Sequence, residues 1–121
     1  MSSRARGQAA ERHARLWLER RGLHHVESNY HCALGEIDLV MRERETLVFV
    51  EVRLRRSAAF GGAATSVTAA KQRKLMRAVA HYVMTRKVSA RHPCRVDVLA
   101  IETDGAGWSV DWIQNAVVQG G

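Results

Sequence analysis

One proline in 121 residues, with no low-complexity tract, is too little for a collagen-like or linker-like chain. Two cysteines, Cys32 and Cys94, stand far apart with no CxxC pair, so neither a disulfide framework nor a structural zinc module is indicated. No apolar run approaches the ~20 residues that span a bilayer. The first ten residues hold arginines but no apolar stretch, unlike a signal peptide. The expectation is a soluble, cytoplasmic protein with no membrane role. Aromatic residues are only 6% of the chain and form no RNP-type motif, so an RRM-like RNA reader is not indicated. The most informative scarcity is of acid. From Val52 to Val96 there are eleven Lys or Arg and no Asp or Glu.

What is present describes one globular domain. Apolar residues make up 46% and charged residues 26% of a 13.5 kDa chain, enough for a single core and too few residues for two domains. We read residues 1–121 as that domain, with 1–6 a loose basic tail. The formal net charge is +7 and the pI near 10.4. Such an excess calls for a polyanionic partner, usually nucleic acid. The basic set is 16 Arg and 3 Lys, which an Arg-biased host composition would also produce. The acid-free stretch flanked by carboxylates is what a phosphate-binding surface beside a cation site needs.

The pattern along the chain is mixed α/β. Ala10, Ala14, Trp17 and Leu18 form one helical stripe over about 7–21, and Gly22 is placed to end it. A weak strand follows at about 23–30. Residues 34–42 alternate, with Glu36, Asp38 and Val40 on one face and Ile37, Leu39 and Met41 on the other. After a polar turn, 47–53 reads LVFVEVR, apolar on both faces at first, as in a central strand. A small-residue loop at 57–66 leads to a helix over about 68–87, capped by Ser66 or Thr68. Leu75, Met76, Val79 and Val83 face inward with Gln72, while Lys71, Arg73, Lys74 and Arg77 lie on the other face. Strands at 94–102 and 108–113, joined through Asp104–Gly107, complete the order α-β-β-β-α-β-β around one sheet.

Chemistry is suggested where carboxylates meet that sheet. Glu51 and Arg53 leave the central strand on the same face, and Asp38 and Glu36 share a face of the preceding strand. A buried carboxylate needs a charge partner or a metal. If the strands are neighbours, the acids converge near one arginine, and all-oxygen ligands suit Mg²⁺ or Mn²⁺ rather than zinc. The spacing alone favours the plainer reading, a structural ion pair, Glu51–Arg53 or Asp38–Arg53.

The blocks GEIDLV at 35–40, LVFVEVR at 47–53, AAFGGAATSVTAAKQRKL at 58–75 and CRVDVLAI at 94–101, with Glu11 and Arg21-Gly22 before them, resemble the bacterial YraN-type family over nearly the whole chain. That family is similar to restriction-endonuclease-like nucleases, including Holliday-junction resolvases. The resemblance implies an αβββαβ core, one mixed sheet flanked by helices, with the site pattern D-xn-(D/E)-x-K. Matched by position, it implies that Asp38 and Glu51 are metal-binding carboxylates and that Glu11 is an additional helical ligand. Gln72 falls on the glutamine that some members place on the second helix. Arg53 stands where relatives carry the lysine of VEVK. Lysine in such sites orients the attacking water and supports developing charge. Arginine supplies charge and donors, but its pKa above about 12 prevents it from acting as a base.

Flanking the site, Arg55, Arg56, Lys71 and Arg73 are the candidate phosphate contacts. Other features have plainer readings. His24 and His25 are adjacent on a strand and face opposite ways. A zinc site joining His31-Cys32 to His92-x-Cys94 lacks the usual spacing. Asp97 reads as a structural acid, and Trp108 and Trp112 as core or subunit-contact residues. Two functions remain: a Mg²⁺- or Mn²⁺-dependent endonuclease on DNA or RNA, with branched DNA one substrate, or a non-catalytic nucleic-acid-binding module on a nuclease fold, its site weakened by Arg53. A partner that is an acidic protein is a weaker third, and a homodimer is compatible with either function.

Overall fold

A computed structural model of the chain describes residues 3–55, 68–103 and 107–116, with side chains from residue 7 and, at the end of the first stretch, to residue 54. The loop at 57–66, Arg56 and residues 104–106 lie outside the described residues, as does the Arg55 side chain. The elements are α1 (Ser3–Arg20), β1 (His24–Cys32), β2 (Gly35–Glu43), β3 (Thr46–Arg55), α2 (Ala69–Thr85), β4 (Cys94–Thr103) and β5 (Trp108–Ile113). The strands lie in chain order, β1-β2-β3-β4-β5, in one sheet. Every neighbouring pair is antiparallel except β3 and β4, which are parallel and joined through α2. The expected αβββαβ order is therefore present, with β5 added at an edge.

Helix α1 begins at Ser3, earlier than the apolar stripe indicated and within the segment expected to be a loose tail, a start that the helix formers Arg4, Ala5 and Arg6 favour. It ends as its sequence predicts. Gly22 adopts φ +93, and the Leu23 and Gly22 N–H groups bond back to Leu18 and Glu19 carbonyls at 3.2 and 3.1 Å. This is a Schellman turn, completed by Leu23 and Leu18 packing in one cluster. At α2, Thr68 is the cap, its hydroxyl accepting the Lys71 N–H at 3.2 Å.

The sheet is buried on both faces. Under α1 lie Ala10, Ala14, Leu18, Leu39, Met41, Val48, Val50, Leu99 and Ile101. Under α2 lie Tyr30, Ile37, Val40, Phe49, Leu75, Ala78, Val79, Tyr82 and Val96. Each such large apolar side chain contributes roughly 1.5–3 kcal/mol by leaving water. Val48, Phe49 and Val50 feed the two clusters alternately, which is the central-strand pattern of LVFVEVR.

Strand β2 departs from simple alternation. Ile37 packs on the α2 side with Val40, while Leu39 and Met41 pack on the α1 side. The expected shared face of Ile37, Leu39 and Met41 is thus broken between 37 and 39. Opposite the break, Asn29 of β1 takes φ +53, while the pairs Ser28↔Leu39 and Tyr30↔Ile37 on either side keep one register.

Asp97 is fully buried and structural. It accepts from Arg95 Nε, from Trp112 Nε1 at 2.9 Å and from the Asn115 N–H at 2.8 Å, while Arg95 also donates to Glu43 at 2.7 Å. The network fastens the end of β5 and the β2–β3 turn to β4. Trp112 meets Trp17 edge-on at 5.7 Å, and Trp108 stacks on His13 at 4.8 Å, so both tryptophans pack against α1.

Candidate active site

Strands β2 and β3 pair only from Glu43↔Thr46 to Leu39↔Val50. Beyond Val50 they part, and β3 continues on β4 alone as far as Arg55↔Glu102. The Asp38 carboxylate fills the fork and accepts the Val52 N–H at 2.8 Å, a bond that a carbonyl of β2 would otherwise take. Glu51 and Arg53 project from β3 just past the fork, toward α2, with Arg53 Nη2 3.0 Å from Glu51 Oε1. Asp38, Glu51 and Arg53 therefore come together, as their spacing suggests.

The fork opens into a cleft of about 520 Å³. Its walls are Glu51 and Arg53 of β3, the β1–β2 hairpin tip from His31 to Glu36, and Lys71, Lys74 and Leu75 of α2. Gly35 makes this closure possible. A Cβ there would lie 2.7 Å from the Lys74 carbonyl oxygen, so only glycine lets α2 seat on the tip.

The electrostatics are those of acids held together against their preference. Burial first, and then the Asp38 charge, push the Glu51 carboxyl up to about 7, against the opposing pull of Arg53. Burial also raises Asp38, partly countered by the Val52 N–H. The two carboxyls hydrogen-bond to each other, and Glu51 is the one that takes up the proton as pH falls through about 7. Arg53 Nε is buried and has no hydrogen-bond partner. The Arg53 side chain as a whole lines the cleft, where its charge suits an anion's oxygen.

The remaining expected residues are more scattered. Glu11 is half-buried on α1 and lines a separate hollow of about 280 Å³ with Gln8, Arg12, Arg15, Ser28, Asn29 and Leu39. Burial and the nearby Asp38 charge raise its pKa, while a hydrogen bond from the Asn29 side chain lowers it. Glu11 thus approaches Asp38 from the α1 side of the sheet, opposite the face that carries Glu51. Gln72 is half-buried between Lys71 and Arg73 and is not part of the cleft wall; Arg73 is exposed on α2. Among the described residues, no group of three or more His, Cys, Asp and Glu converges as a metal-holding set. The zinc alternative is excluded by position. Cys32 closes the β1–β2 hairpin, whereas Cys94 pairs with Leu47 at the other end of β3.

The donor set still fits a hard divalent cation. Mg²⁺ commonly takes one or two carboxylates, retains water and completes its shell with substrate oxygens. Two carboxyls that share a proton because neither tolerates the other's charge would be relieved by such an ion. Sequence reasoning gave no site role to two cleft residues, Lys74 and Leu34, and did not foresee that His31 bridges Glu36 at 3.2 Å. Lys74 was detectable from its i, i+3 relation to Lys71. The hairpin tip had no sequence signal, because neither Ala33 nor Leu34 is a turn former.

None of the described helices is long and apolar enough to cross a membrane. In comparison with known proteins, residues 10–101 match the model of a family described as "Uncharacterised protein family UPF0102". A UPF0102 protein of Ectopseudomonas mendocina (strain ymp) is 51% identical over 110 residues, covering 91% of this chain and 92% of its own. A UPF0102 protein of Aeromonas hydrophila subsp. hydrophila is 50% identical over 116 residues, covering 95% and 86%. One of Nitrosococcus oceani is 44% identical over 113 residues, covering 93% and 91%. Matched over most of its length by the family model and by these relatives, the chain belongs to the UPF0102 family.

Proposed function

We propose that this protein binds nucleic acid in the cleft and hydrolyses a phosphodiester bond there, with Mg²⁺ or Mn²⁺ held by Asp38 and Glu51. The observation that carries the reading is the pair of half-buried carboxylates, Asp38 and Glu51, brought together at a strand fork beside a cleft walled by Lys71 and Lys74. The chemistry such an ion supplies is Lewis-acid polarisation of the phosphodiester and acidification of water. The chain does the rest. Asp38 is oriented by the Val52 N–H. Glu51 gives up its proton to become a ligand, so metal uptake releases protons. Arg53, which lines the cleft, holds a phosphate oxygen through its guanidinium, and Lys71 and Lys74 hold the flanking backbone. A nucleic-acid substrate places this work in the cytoplasm.

A second reading, a binding module without turnover, is favoured by one feature. Arg53 occupies Glu51 at 3.0 Å, in competition with a cation, and Glu11 stands across the sheet. The test is a Mn²⁺-dependent single-turnover assay over single-stranded, duplex, flap and four-way DNA and a single-stranded RNA. Wild type is expected to cut at least one substrate, with Asp38→Asn and Glu51→Gln reduced by about 10²-fold or more. Arg53→Lys in the same assay is expected to cut faster, because a compact ammonium releases Glu51 more readily. Binding without cleavage by wild type and by Arg53→Lys across the panel would leave the binding module as the function.

A further inference from the structure

The β1–β2 hairpin ends in a feature that the cleft chemistry does not use. Cys32 pairs with Gly35, leaving a two-residue loop of Ala33 and Leu34. Two-residue hairpin loops favour Asn, Asp or Gly at positive φ, because those turns match the twist of the strands. The next hairpin obeys this, with Arg44 at φ +54 and polar residues throughout. The first does not. Neither Ala33 nor Leu34 has a positive φ, and Leu34 is 49% exposed. An apolar side chain thus stands exposed in the loop of the hairpin, where local preference argues for a polar one.

Its surroundings narrow the purpose. Leu34 lines the same cleft as Lys71, Lys74, Arg53, Glu36 and Glu51, so it is an apolar point on a highly charged rim. The tip is braced as well. Gly35 lies against the Lys74 carbonyl with no room for a Cβ, and His31 is bridged to Glu36 across the base of the loop. A rigid hairpin therefore presents one leucine beside a row of cations.

We propose that Leu34 is a wedge that enters between adjacent bases of the nucleic acid whose phosphates the cleft holds, so that the preferred ligand is a duplex with a weakly stacked step. The proposal rests on the reading of the cleft as a nucleic-acid site. Phosphates pair with Lys71, Lys74 and Arg53, and the apolar tip meets the one apolar surface a duplex offers, its base stack. Insertion of a leucine between base steps requires unstacking, which mismatched, nicked or pyrimidine–purine steps permit most readily.

The experiment uses the full chain and duplex DNA carrying 2-aminopurine, whose fluorescence rises when it is unstacked, in perfectly paired and singly mismatched forms. The variant is Leu34→Asn. Asparagine suits the turn, so its melting temperature should equal or exceed the wild type's. Wild type should brighten the probe at one step and bind the mismatched duplex about tenfold tighter than the paired one. Leu34→Asn should lose both effects and keep the same dependence of binding on salt, since its phosphate contacts are intact. Leu34→Phe, which keeps an apolar wedge, should retain the brightening. Binding by wild type without brightening, or brightening by Leu34→Asn equal to wild type, overturns the wedge and leaves the cleft reading intact. Failure of wild type to bind any duplex at low salt overturns the cleft reading and the wedge together.

Discussion

The Val52 N–H points at a carboxylate, where its neighbours on β3 point at strand carbonyls. Asp38 is therefore part of the sheet as well as of the site, and its charge is held where Glu51 must answer it. The consequence is a pH dependence with a definite sign. Glu51 titrates near 7 in the folded protein, against an ordinary value of 4.5. Between those values the native state holds a proton that the unfolded chain has released, so the stability of the metal-free protein falls as pH rises through that window. The fall should be on the order of 2–3 kcal/mol. Glu51→Gln, which keeps a donor toward Asp38 but does not titrate, should flatten the profile and be more stable than wild type at pH 8. Urea titrations at pH 5, 6, 7 and 8 measure it, and parallel profiles for the two proteins would refute the shared proton. The convergence of Asp38, Glu51 and Arg53 was legible in the sequence because strand period places 51 and 53 together and a short turn makes their strand the neighbour of Asp38's. The place of Glu11 was not, because helical spacing tells which stripe a residue borders but not which face of the sheet the helix covers.

At the scale of elements, the seating of α2 on the β1–β2 tip decides whether the cleft has its lysine wall. Gly35→Ala brings a Cβ to within 2.7 Å of the Lys74 carbonyl oxygen and 3.3 Å of its carbon. Backbone cannot rotate away as a side chain would, so α2 must lift. The expected loss is about 1–3 kcal/mol, read as a lower melting temperature, with weaker DNA binding as Lys71 and Lys74 move off. An unchanged melting temperature would mean that the contact is not tight. Most element boundaries followed from local chemistry that sequence displays: Gly22 after the α1 stripe, Thr68 before α2, and polar Arg44-Glu45 between β2 and β3. The face change in β2 did not, since a period-2 reading of residues 34–42 assumes unbroken alternation, and the strand breaks it between Ile37 and Leu39.

At the scale of the molecule, the charge asymmetry of the chain is smaller than its composition suggests. Of the eleven basic residues between 52 and 96, Arg53, Arg86 and Arg95 are bridged to Glu51, Glu27, Glu43 and Asp97. Among the described residues, no carboxylate lies within ion-pair distance of Lys71, Arg73, Lys74 or Arg77, and these mark the first turns of α2 as the cationic surface. DNA affinity should therefore fall with log salt by about 0.9 per phosphate contacted, and Lys71→Ala with Lys74→Ala should reduce the slope by roughly two units. Equal slopes for wild type and the double variant, measured by fluorescence anisotropy, would place the phosphates elsewhere. The strand order has a consequence in time. Strands β1, β2 and β3 are joined by tight hairpins, which close in about 1–10 μs, whereas β4 reaches β3 only after the chain has crossed through α2. Parallel, non-local pairing of this kind forms slowly. The hairpins that bear Asp38 and Glu51 can thus precede the helix that walls them in, and during synthesis the carboxylates, with Arg53 beside them, emerge from the ribosome before Lys71 and Lys74.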